Sequence, residues 1–183
     1  MELRFPEQEI AELSRLYEYK EVEDLEVELM NVVALSVKKK GYLTKDELRK
    51  VCDWKSARSA WNVEKNEEDF VKEVTKFALE TKNMRASIES LIILNGVLWP
   101  TASVILHLFH KDRFPIIDFR ALWSVGVYED YKKEYKNKEN KFHKYDLWKT
   151  YTRYCREIAD NAGVLMRDLD RALWQYSKSN QGT

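Results

Sequence analysis

The stretch Ser90-Leu91-Ile92-Ile93-Leu94-Asn95-Gly96-Val97-Leu98-Trp99-Pro100-Thr101-Ala102-Ser103-Val104-Ile105-Leu106-His107-Leu108-Phe109 decides the fold of this chain. Ile88, Leu91 and Ile92 recur at helical spacing and mark the buried face of one helix. Leu94-Asn95-Gly96-Val97 then reads as a tight turn, with Gly96 at a backbone geometry that side chains resist. Pro100 suits the first turn of a second helix, whose apolar side holds Val104, Ile105, Leu108 and Phe109. A loop from His110 to Arg113 leads into Phe114-Pro115-Ile116-Ile117-Asp118, where Asp118 has the form of a cap on a third helix running to Val125.

Helical spacing extends outward in both directions. Ile10, Leu13, Leu16 and Tyr17 form one stripe; Leu25, Leu29, Val32, Val33 and Leu35 form another. Thr44-Lys45-Asp46-Glu47 is a capping box and predicts a short helix ending near Trp54. Asn66-Glu67-Glu68-Asp69 predicts another start with Asn66 as the cap, and Phe70, Val71, Val74, Phe77 and Ala78 share one face behind it. Residues 128–145 are the one long loop expected, and their alternating charges suggest a solvated helix or a mobile connector. Asp146 is expected to cap a helix that stops at Gly163, and a last helix carries Leu165, Leu169, Leu173, Trp174 and Tyr176. No stretch alternates with period two. The expectation is an all-α protein of eight to ten helices, a single helical domain over 1–183 in one or two small lobes, with residues 85–127 at its core.

Composition narrows the class. With 183 residues, 44% apolar, the chain can bury a sizeable core, and 5 Gly with 3 Pro argue against disorder, collagen or a turn-rich sandwich. Charge sums to zero, 31 basic against 31 acidic, so bulk electrostatics point to neither a nucleic acid nor a membrane. The first 30 residues are nonetheless strongly acidic and the remainder correspondingly basic. Two cysteines, Cys52 and Cys155, are too few for a disulfide framework or a four-cysteine metal site, and buried thiols are expected. His107 and His110 share a helix face without an acidic or cysteine partner, so no metal and no cofactor are expected. The apolar run Leu91–Leu98 falls far short of the ~20 residues that span a bilayer. Met1-Glu2-Leu3-Arg4 lacks a signal-peptide layout, so a soluble, cytoplasmic protein is expected.

A glycine hairpin between two helices has a physical use. The second helix presents unpaired amides beside the turn amides, and together they can hold a phosphate without a charged side chain. Trp54-Lys55-Ser56-Ala57-Arg58-Ser59-Ala60-Trp61 places two cations at i and i+3 between aromatics. Lys55 and Arg58 then either neutralise phosphates beside a stacking tryptophan or are solvated cations between two core tryptophans. A duplex needs one continuous footprint, so on the first reading they belong on the face of the hairpin. Arg171 and Lys178 sit on an amphipathic packing helix and are further candidates.

Leu94-Asn95-Gly96-Val97-Leu98-Trp99-Pro100-Thr101-Ala102, Ile105-Leu106 and Phe114-Pro115-Ile116-Ile117-Asp118 together resemble the core of the helix-hairpin-helix DNA glycosylases, nearest the branch of adenine glycosylase and endonuclease III. Asp118 follows Ala102 by 16 residues, the spacing of that family, and the resemblance covers about 45 of the 183 residues. It implies double-stranded DNA as partner, with Asn95, Gly96, Val97, Leu98, Trp99 and Thr101 of the hairpin as DNA contacts. It implies that Asp118 stabilises the cationic sugar formed as an N-glycosidic bond breaks, on a base flipped into a pocket. Pro100 stands where bifunctional members carry a lysine, so the implied chemistry is monofunctional hydrolysis without an imine. Leu98 replaces the second hairpin glycine, and the cluster cysteines are absent. Arg120 does not match the family arginine cleanly; it binds a phosphate or pairs with an acid. The competing expectation is a non-catalytic helix-hairpin-helix module that binds DNA or another protein.

Overall fold

In the computed structural model, which describes residues 1–17, 23–135 and 141–181, every regular element is helical and no strand occurs among those residues. The α-helices in chain order are α1 (Ile10–Arg15), α2 (Glu23–Glu28), α3 (Ala34–Lys40), α4 (Lys45–Ala60), α5 (Glu68–Glu80), α6 (Met84–Leu91), α7 (Trp99–Phe109), α8 (Phe119–Ser124), α9 (Tyr128–Tyr135), α10 (Lys141–Ala162) and α11 (Met166–Asn180). A π-helical stretch, Leu29–Val33, joins α2 to α3 without a break. None of these helices is long and apolar enough to cross a membrane.

The chain gathers into two compact units. The inner unit, Tyr19–Asp112, holds α2 to α7. Its α4 starts at the expected capping box: Thr44 Oγ1 accepts from the Glu47 amide at 3.2 Å, and the Thr44 amide donates to Glu47 Oε2 at 2.8 Å. Lys40 Nζ sits 2.5 Å from the same carboxylate. Burial pushes the Glu47 carboxyl up, but hydrogen bonds from Lys40, Thr44 and Ser36 together with the Lys40 charge outweigh it and hold the group below its ordinary value. The helix does not stop at Trp54. Ser56 breaks its dihedrals (φ −155°, ψ 60°) and a second turn continues to Ala60. Leu48, Val51, Cys52 and Trp54 point into the core. Thr75 ties α5 to the loop before α4 by accepting from the Leu43 amide at 3.0 Å, and Ser87 ties α6 to α5 by donating to Ala78 O at 2.6 Å.

The outer unit joins the two ends of the chain, Met1–Glu18 with Arg113–Thr183. Here α1 packs along α11, and Ser14 Oγ donates to Asp168 Oδ1 at 3.1 Å. Inside α11 the buried Arg167 and Asp170 pair one turn apart. The apolar run 114–117 is entirely buried. Phe114 stacks on Trp148 of α10 with centroids 5.2 Å apart, and Tyr151 Oη donates to Ile116 O at 3.1 Å. An aromatic pair of this kind contributes about 1 kcal/mol beyond its buried area.

Two expected helix starts move. Asp146 lies inside α10, whose described residues begin at Lys141, so it does not cap that helix. Its end is where Gly163 (φ 65°) predicts it. The span 128–145 contains α9 and the first turn of α10, with 136–140 outside the described residues. The second moved start concerns Asn66, whose side chain is committed elsewhere.

Candidate nucleic-acid interface

The hairpin is built from the inside out. Leu91, Leu94 and Val97 are buried anchors, and the Val97 amide closes the turn onto Leu94 O at 3.1 Å. Gly96 stands at φ 88°. A side chain there is excluded by space as well as by dihedral, since an added Cβ meets Val63 Cγ2 at 3.0 Å and the Val63 amide nitrogen at 3.2 Å. Cys52 Sγ reaches Gly96 O at 3.7 Å from below. Burial is the main reason the Cys52 thiol is pushed up to about 12, which keeps it protonated and inert.

Asn66 supplies the clasp. Its Oδ1 accepts from the Asn95 amide at 2.8 Å and from Asn95 Nδ2 at 3.2 Å, while its Nδ2 donates to Asn95 O at 2.9 Å. A second bond from Nδ2 to Val63 O at 3.0 Å holds the side chain to its own turn. Asn66 is therefore not the cap of α5; Glu67 occupies that position, without a side-chain capping bond. Sequence reading missed this pairing because two asparagines 29 positions apart carry no periodic signal.

The clasped turn delivers the N-terminus of α7. Leu98 is its extended N-cap residue (φ −113°, ψ 176°), more than half exposed and unable to accept a bond through its side chain. Pro100 has no amide, so the backbone donors of the first turn are those of Trp99 and Thr101. Asn95 is exposed, Gly96 and Trp99 are half-buried, and Val97 and Thr101 are buried. Val97 and Thr101 thus shape the hairpin from within, and their side chains are not surface contacts.

The segment that seats the hairpin also carries the basic candidates. Contacts from Cys52, Ser59, Val63 and Asn66 converge on Asn95 and Gly96, and Lys55 and Arg58 lie within this run. The break at Ser56 falls between them, so they do not share one regular helical face as their i, i+3 spacing implies. Lys55 is half-buried and Arg58 exposed. Of the flanking tryptophans, Trp54 is a core residue and Trp61 is 55% exposed, with Lys65 Nζ 4.2 Å from its ring centroid. The sequence did not single out Lys65.

Asp118 and Arg120 belong to the outer unit. Asp118 is the extended N-cap of α8 (φ −146°, ψ 173°), and its Oδ1 accepts from the Ala121 amide at 2.8 Å. The carboxylate is half-buried. Fully buried Tyr151 has its phenol pushed well up, first by burial, then by Cys155 and Asp170, with Asp118 a smaller contributor. Arg120 lies over Phe119 and Trp174, 5.1 and 5.2 Å from their ring centroids. Lys178 covers Trp174 at 5.3 Å, and Arg171 covers Tyr17 at 5.6 Å. Among the described residues no three His, Cys, Asp or Glu side chains gather as metal ligands. His107 is on α7, but His110 is its C-cap and accepts the Asp112 amide through Nδ1 at 2.9 Å. Comparison with protein-family models, with curated proteins and with solved structures gives no match.

Proposed function

We propose that this chain binds double-stranded DNA through the 94–101 hairpin, as a helix-hairpin-helix module of the glycosylase-like kind. One observation carries the reading: the turn is locked by the Asn66–Asn95 clasp and presents the N-terminus of an 11-residue helix whose N-cap side chain offers no acceptor. Such an end favours an anion, and a DNA phosphate is an anion that a neutral protein can hold with backbone groups. Lys55, Arg58 and Lys65, on the segment that seats the hairpin, add charge beside it. Cys52 and Cys155 remain thiols in the reducing cytoplasmic setting that this reading assumes. The test is duplex binding by fluorescence anisotropy over a salt series. Binding is expected to weaken as salt rises, and Lys55→Ala with Arg58→Ala is expected to flatten that slope by about two. No binding at low salt refutes the reading.

A second reading adds monofunctional hydrolysis of an N-glycosidic bond. It is favoured by the conjunction of the motif spacing with a half-buried Asp118 held in one orientation by the Ala121 amide. A carboxylate so held stabilises positive charge developing on a sugar. Excision is then expected to leave an intact abasic site, and Asp118→Asn is expected to lower it by orders of magnitude with DNA affinity kept. A borohydride-trapped adduct, or full excision by the Asn variant, removes this reading.

A further inference from the structure

The helical run 23–40 has an inner and an outer face, and the outer face is not that of an ordinary solvated helix. Glu26, Leu29, Val33 and Val37 are buried. The exposed positions are 23, 24, 27, 30, 31, 32, 35, 38 and 39. Four of them are large apolar side chains: Val27 at 54% exposure, Met30 at 37%, Val32 at 62% and Leu35 at 57%. Isolated exposed apolar residues are normal, but several on one helix facing away from its own core form a patch that calls for a partner.

The arrangement of this set identifies the partner. Every exposed position i has an exposed counterpart at 62 − i, with Asn31 at the centre. Glu23 corresponds to Lys39, Asp24 to Lys38, Val27 to Leu35 and Met30 to Val32. When two copies of the helix lie antiparallel about a two-fold axis over Asn31, each residue faces its counterpart. Acid then meets base at both ends, apolar meets apolar between them, and amide meets amide on the axis. That is the self-complementarity an isologous interface requires. A lone asparagine in such a seam fixes register, because a shift leaves its polar groups facing hydrocarbon. The π-helical stretch Leu29–Val33 is centred on the same residue. Its wider turn offsets the drift of a four-residue spacing in an α-helix, so Val27, Asn31 and Leu35 stay in line.

We propose that the outer face of 23–40 is a homodimer interface, on which a second copy of this chain packs antiparallel. The face is about 27 Å long at ~1.5 Å per residue, which suits a reversible dimer better than an obligate one. The inference does not depend on the DNA-binding reading.

Sedimentation equilibrium of the full chain over a hundredfold concentration range tests it. The mass is expected to rise from that of the monomer to twice that value. Leu35→Glu, on an exposed position, is expected to weaken association at least about tenfold while melting temperature and helical circular dichroism stay unchanged. Glu23→Lys/Asp24→Lys and Lys38→Glu/Lys39→Glu are each expected to be monomeric alone, since like charges then meet at both ends. Mixed in equal amounts they are expected to recover the dimer. A wild type that stays monomeric throughout, as when another protein or a lipid surface covers this face, overturns the proposal. So does a dimer indifferent to Leu35→Glu, or a mixture that fails to recover.

Discussion

Two helix N-termini in this molecule solve the same problem in opposite ways. At α8 the cap is internal: Asp118 bends back and accepts from the Ala121 amide at 2.8 Å. At α7 the corresponding residue is Leu98, which has no acceptor to offer, and the capping position is exposed. The first end carries a side-chain cap from within the chain. The second has a rigid approach, held by Asn66 and Gly96, and no side-chain cap on its helix. On the proposed reading, that combination of a rigid turn and a helix end without a side-chain cap is what lets α7 serve binding while α8 serves the fold.

The comparison breaks most severely at the turn itself. Gly96→Val is expected to cost about 3 kcal/mol, from a β-branched residue at positive φ pressed on Val63, measured by urea denaturation. Asn66→Ala is expected to cost about 2 kcal/mol in the same assay, because the Asn95 amide and carbonyl lose their partner. At the capped end, Asp118→Ala is expected to cost about 1 kcal/mol and Asp118→Asn only a few tenths. The sharpest contrast is Leu98→Asp. A carboxylate there caps α7, so stability is expected to rise by about 0.5 kcal/mol while duplex affinity falls at least about tenfold. If DNA affinity is unchanged, the open end is not the binding element. The smallest effect concerns Glu47, whose carboxyl is held below its ordinary value. A group depressed in the folded state contributes stability above its unfolded value near pH 4.5, and loses it as pH falls through the folded one. Glu47→Gln is expected to shallow the acid limb of a stability-against-pH curve.

Much of the local structure was legible because local interactions create it. The Thr44 box, the Asp118 cap, the Gly96 turn and the Gly163 stop each involve residues within a few positions of one another. Spacing alone also separates helix from strand among the described residues. The failures have long-range causes. Asn66 has the composition of a cap, but Asn95 competes for its side chain and wins because that pairing satisfies the Asn95 amide and carbonyl together. The i, i+3 spacing of Lys55 and Arg58 implies one helix face only where the helix is regular, and the break at Ser56 removes that regularity. Trp54 and Trp61 are alike in the sequence, yet one is core and the other surface, which only the packing of α4 decides. The mirror order of charges along 23–40 was readable only once exposure told which residues to compare.

The split composition of the outer unit has a consequence for the order in which the chain folds. Ser14 meets Asp168 across 154 positions, and the Tyr176 hydroxyl meets Arg4 O across 172. During synthesis, α1 emerges long before α11 exists, so its apolar side waits without a surface to cover it. The intervening unit, by contrast, can complete its internal contacts as it appears. Once collapsed, it shortens the effective span that α1 and α11 must close, which lowers the entropic barrier to their meeting. The docking of α1 onto α11 is therefore expected to be the late kinetic event.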